Sequence, residues 1–180
     1  KIKDENIDYL KRAYNEGHEI GNHSENHKQM SKLSKTQCKE EIQIVHDKVK
    51  DLTGLEMTVF RPPFGDYNDT VIQAANELGY HVIQWDVDSL DWKDYGCDSI
   101  IHTVTCHKHL GNGSIILMHD FIGHDSPTPE ALRIVIPALI KAGYQFVTVG
   151  ELIDGRADTV GGAETGCLSP NEGIKSRNVL

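Results

Sequence analysis

His23-Ser24-Glu25-Asn26-His27 sets two imidazoles four residues apart. On a helical turn, residues at that separation lie on one face. Two neutral imidazoles side by side can share one divalent ion, and zinc commonly takes such ligands. The chain has 10 histidines, so a chance pair is common and the spacing needs company. Three further stretches supply groups that a hydrolytic metal site uses: Arg61-Pro62-Pro63-Phe64-Gly65, Asp88-Ser89-Leu90-Asp91-Trp92 and Leu117-Met118-His119-Asp120.

The elements that must position these residues follow from apolar spacing and capping chemistry. Ile7, Leu10 and Tyr14 predict a helix from Asn6 to Glu16, closed by Gly17. His18 to Asn22 reads as a short strand or turn leading into the histidine pair. A second helix starts at Ser34, where Gln37 completes a capping box, and stops before Gly54. It turns Ile42, Val45, Val49 and Leu52 inward. Thr58-Val59-Phe60 is a strand cut short by Pro62 and Pro63, which places Arg61 and Phe64 at a strand-to-loop junction. Asn68 or Asp69 caps a third helix that ends before Gly79.

Tyr80 to Val87 reads as one strand delivering Asp91 and Trp92 into the next loop, and a helix begins at Ser99. Ser114 to Met118 is an apolar run of the kind buried on both faces, ending on His119. Thr128-Pro129-Glu130 opens a helix, with Pro137 expected to bend it. Tyr144 to Val149 is a last strand. The apolar periodicity ends there, which makes 1–154 a folded domain and 155–180 a C-terminal tail. Alternating strands and helices indicate an α/β fold with a parallel sheet, whose active sites gather at the carboxyl ends of strands.

Composition narrows the function classes. A net charge of -9 gives no electrostatic footprint for nucleic acid or an anionic membrane surface. No apolar run reaches transmembrane length. The four cysteines, Cys38, Cys97, Cys106 and Cys167, lack CxxC spacing and are not a structural zinc cluster; free buried thiols are the favoured reading and an extracellular disulfide pair is the alternative.

The four motifs, in this order, resemble the polysaccharide deacetylase family, carbohydrate esterase family four. The resemblance spans about Ile7 to Leu152. It implies a distorted, incomplete (β/α) barrel that removes acetyl from N-acetylated sugars with one divalent metal, usually zinc. It implies metal ligation by His23 and His27, from a His-Ser-x-x-His motif. Arg61 would orient the catalytic carboxylate. Phe64 would offer its backbone N–H to the developing oxyanion and its ring to the substrate groove. Asp91 would pair with Arg61, and Trp92 would wall the site. Leu117 would line the pocket for the acetyl methyl, and His119 would protonate the leaving amine. The remaining histidines, His46, His102 and His109 among them, are assigned to the surface.

The family carries one more motif, a strand ending in paired aspartates that supply the base and a third metal ligand. Nothing before His23 matches it. Asp4, Glu5, Asp8, Glu16 and Glu19 fall in or beside the first helix. The expectation is therefore a barrel without its first strands, binding metal weakly and inactive by itself, cut from a deacetylase of peptidoglycan or chitin-like N-acetylglucosamine chains. An O-acetyl xylan esterase and a non-catalytic carbohydrate-binding remnant are the alternatives. An extracellular or cell-surface location follows from the resemblance alone.

Overall fold

A computed structural model describes residues 2–120 and 125–155, together with the backbone of 177–179. The chain divides into two compact units, Lys1–Gln84 and Trp85–Leu180.

In the first unit, α1 (Ile7–Asn15) precedes the histidine loop, which leads into α2 (Lys35–Thr53). The capping box at Ser34 and Gln37 forms as expected, and Gly54 ends α2 in the left-handed conformation at φ 76°. Strand β1 (Val59–Phe60) pairs in parallel with β2 (His81–Val82), and α3 (Asp69–Glu77) crosses between them. Asn22 adds an isolated parallel bridge on Phe60. Phe60, Met30, Ile42, Val71 and Ala75 are fully buried around this ladder. Phe60 sits in β1, and its carbonyl accepts from Ile83 N–H at 2.8 Å. Truncating this ring would leave a void beneath the site-bearing ladder. Phe60→Ala is expected to cost about 3–5 kcal/mol, read as a lowered denaturation midpoint.

In the second unit, β3 (Val87–Asp88) pairs in parallel with β4 (Ile116–Leu117), joined through α4 (Cys97–Thr105). Then come α5 (Thr128–Lys141), β5 (Tyr144–Phe146) and α6 (Val149–Ile153). Val87, Ile100, Val104, Val135 and Leu139 form its buried core.

Several boundaries differ from the sequence reading. Tyr80 to Val87 is two strands, not one. His81–Val82 finds its partner in β1 and Val87–Asp88 finds its own in β4, so the apolar run serves two separate ladders. Helix α4 opens at Cys97 after Gly96, whose φ of 84° suits glycine, rather than at Ser99. The last strand stops at Phe146, because Thr148 and Glu151 form a capping box that starts α6. Most of the 155–180 tail lies outside the described residues; Arg177–Val179 forms β6, parallel to β5. Cys106 is disulfide-bonded, the alternative to the favoured reading of free thiols, while Cys38 and Cys97 are free. Among the described residues, no helix is long and apolar enough to cross a membrane.

Candidate active site

In each unit, two adjacent parallel segments deliver functional side chains from their carboxyl ends. In the first unit these segments are Asn22 and β1. Asn22 N–H donates to the Val59 carbonyl and Arg61 N–H donates to the Asn22 carbonyl, both at 2.9 Å. His23 and Arg61 therefore leave the ladder side by side. The His23 Nδ1 lies 2.6 Å from the Arg61 carbonyl. A carbonyl only accepts, so Nδ1 carries the proton and Nε2 is the nitrogen with the lone pair. That is the tautomer a metal-ligating histidine needs, fixed by an outer partner.

His27 comes within reach, but not through a helix. Ser24 and His27 have φ of 64° and 53°, a conformation a helical turn does not contain. The loop is tied by His27 N–H to Ser24 Oγ at 3.2 Å and Ser24 N–H to Asn22 Oδ1 at 3.0 Å. The two imidazole centroids are 5.0 Å apart, edge to face. The pair thus fits a shared divalent ion in residue type and spacing, and His23 fits it in tautomer. Among the described residues, no third histidine, cysteine or carboxylate joins them.

Phe64 packs its ring edge on His27 at 4.6 Å and is otherwise exposed. Its φ of 60° is strained for a bulky residue, and such strain concentrates at functional sites. Gly65 and Asp66 donate back to the Pro62 and Pro63 carbonyls. Arg61 is half-buried, and burial lowers its pKa from the ordinary value. A guanidinium nevertheless stays charged.

In the second unit, β3 leads to Asp91 and β4 to His119. Asp91 is completely buried. Its Oδ1 lies 2.8 Å from His119 Nδ1, and its Oδ2 accepts from His119 N–H at 2.6 Å and Thr128 Oγ1 at 2.8 Å. Burial opposes ionisation here. The three bonds and the nearby imidazole outweigh it, and the carboxyl pKa is lowered. The sequence reading assigned Asp91 to Arg61. Within the second unit Asp91 bonds to His119 and Thr128, because the adjacency of β3 and β4 puts their loops together. With Nδ1–H donated to Asp91, proton exchange at the ring is left to Nε2 of His119. Trp92 is half exposed, with Nε1 donating to Asp88 Oδ1 at 3.4 Å, and Leu117 is buried in β4.

Sequence reasoning missed Thr128, which reads only as a helix start, and His46, placed at the surface. His46 is largely buried. It accepts from Tyr80 Oη at 2.6 Å and donates to Glu56 at 2.8 Å, while Tyr80 Oη accepts from Asn22 Nδ2 at 3.2 Å. It thereby backs the residue that leads into the histidine loop. His102 and His109 are exposed as expected.

Residues 1–83 match the polysaccharide deacetylase domain. A peptidoglycan-N-acetylglucosamine deacetylase of Bacillus cereus is 39% identical over 146 residues, 80% of this chain and 67% of that protein. The peptidoglycan-N-acetylmuramic acid deacetylase PdaC of Bacillus subtilis is 34% identical over 79% of this chain and 29% of its own. Among solved structures, PdaC superposes with a TM-score of 0.74 at 32% identity, covering 84% of this chain and 71% of that one. A carbohydrate esterase family four pseudoenzyme from Bacillus anthracis gives a TM-score of 0.76 at 32% identity, over 83% and 51%. A mutant of that pseudoenzyme is described as having restored enzymatic activity. The chain thus spans from 29% to 71% of the length of these relatives. It belongs to the polysaccharide deacetylase family, and its fold is the incomplete barrel of that family.

Proposed function

We propose that this chain carries the metal loop and the acid side of a zinc-dependent deacetylase acting on N-acetylglucosamine units of peptidoglycan, with chitin-like chains as related substrates. The observation that carries the reading is the His23 Nδ1 bond to the Arg61 carbonyl, beside His27. It leaves Nε2 as the ring nitrogen with the lone pair, which supports a ligand role for His23. Zinc, when bound, would polarise the acetyl carbonyl and favour attack by water. Phe64 N–H would stabilise charge developing on the carbonyl oxygen. Trp92 would stack on the sugar. His119, held by Asp91, would give its Nε2 proton to the departing amine.

Catalytic zinc generally has three protein ligands. Two imidazoles, with no carboxylate beside them among the described residues, support weak metal binding and no hydrolysis by Lys1–Leu180 alone. The Cys106 disulfide supports an oxidising, extracytoplasmic location, which a wall glycan also requires. A second reading, glycan binding without hydrolysis, is favoured by the same two-ligand arrangement.

Acetate release from N-acetylglucosamine oligomers with added zinc separates these readings. The protein as it occurs in the cell is expected to release acetate, and to lose about 10²–10⁴-fold in rate with His119→Ala. Lys1–Leu180 alone is expected to release none. Glycan binding without acetate release by the natural protein would establish the second reading. Robust release by Lys1–Leu180 would overturn its inactivity.

A further inference from the structure

The loop that presents His23 and His27 contains two non-glycine residues with positive φ, Ser24 and His27. Each such residue is disfavoured, and it persists only where surrounding bonds over-determine it. Most of those bonds come from one face of α2. Glu41 is buried, with its side chain only 5% exposed. Its Oε2 accepts from Asn26 N–H at 2.8 Å, and its Oε1 accepts from Asn26 Nδ2 at 3.0 Å. Lys28 Nζ reaches the same Oε1 at 2.7 Å. The Glu41 carbonyl also accepts from Glu25 N–H at 3.1 Å. Seven residues on, Lys48 on the same helix face pairs with Glu25 at 2.8 Å. One helix therefore grips residues 25, 26 and 28, on both sides of His27, while leaving both imidazoles exposed.

We propose that Glu41 is a positioning residue for metal binding: its buried carboxylate holds Asn26 so that His23 and His27 face one ion before that ion arrives. The sequence gives no hint of this, because Glu41 sits among the charges of an amphipathic helix. A carboxylate serving only to stabilise the fold would not need to spend both oxygens on the residue between two ligands. Removing an outer partner that orients a ligand lowers metal affinity by about 10–100-fold. The proposal rests on the reading of His23 and His27 as ligands.

Zinc titration by calorimetry of Lys1–Leu180 and its variants is the test, with thermal midpoints measured in parallel. Glu41→Gln keeps the size of the side chain but loses the charge and one acceptor. It is expected to bind zinc at least about tenfold more weakly while remaining folded at the assay temperature. Asn26→Ala should weaken binding in the same direction. Lys28→Ala should weaken it less than Glu41→Gln does, because Asn26 keeps both of its bonds to the carboxylate. Glu41→Gln binding zinc as tightly as the parent would overturn the proposal. So would weaker binding that disappears once the unfolded fraction is subtracted. If the parent binds no zinc, or binds it equally well after His23→Ala, the ligand reading itself fails. The metal-free chain then decides the positioning claim. Faster exchange of the Asn26 amide and altered backbone shifts at Ser24 and His27 in Glu41→Gln uphold it, and unchanged values refute it.

Discussion

His23→Ala and His27→Ala are each expected to abolish measurable zinc binding by this chain. Losing an outer partner of a ligand already costs about 10–100-fold. Losing one of two ligands must cost more, since a single imidazole on an exposed loop binds zinc no better than any surface histidine. The two variants should leave stability almost unchanged, because both rings are exposed and neither belongs to the buried core. Loss of binding with an unchanged thermal midpoint is therefore the expected signature. Binding that survives in both single variants would place the metal elsewhere on the chain and remove the basis for the hydrolase reading.

How much of this site the sequence disclosed depends on how local its causes are. The ends of α2 were legible because Ser34, Gln37 and Gly54 act within one turn of themselves. The identities of His23, His27, Arg61, Asp91 and His119 were legible because they stand in ordered motifs. Their partnerships were not. The histidine spacing suggests a helical face, yet Ser24 and His27 take left-handed conformations that only Asn22, Ser24 and Glu41 bonds make tolerable. Those bonds join residues as far as 15 positions apart. Likewise, Tyr80 to Val87 looks like one strand because apolar periodicity records burial, not pairing. Which two residues enter which ladder depends on β1 and β4, both distant in sequence. The Asp91–His119 pair was not legible for the same reason: His119 is 28 residues away and arrives only because β4 lies beside β3.

Asp91→Ala is expected to have the largest effect on the stability of the second unit, at about 1–3 kcal/mol for each buried donor left without its acceptor. The deletion strands three donors at once: His119 N–H, His119 Nδ1–H and Thr128 Oγ1–H. The pH dependence follows from the lowered Asp91 pKa. The folded chain holds the carboxylate ionised more strongly than the unfolded chain does. Its contribution is therefore complete above the ordinary aspartate pKa of about 3.9 and is lost as pH falls through the folded value. Parent and Asp91→Ala stabilities should converge on the acid side and stay apart at neutral pH. Asp91→Asn separates shape from charge. Its amide oxygen can replace Oδ2 toward His119 N–H and Thr128, which leaves the amide NH₂ facing His119 Nδ1. The ring must then accept at Nδ1 and carry its proton on Nε2. Nitrogen-15 spectra of the imidazole should show that tautomer change. A neutral ring with Nδ1–H intact in Asp91→Asn would mean that Asp91 does not orient His119. The acid role argued for His119 would then lose its structural support.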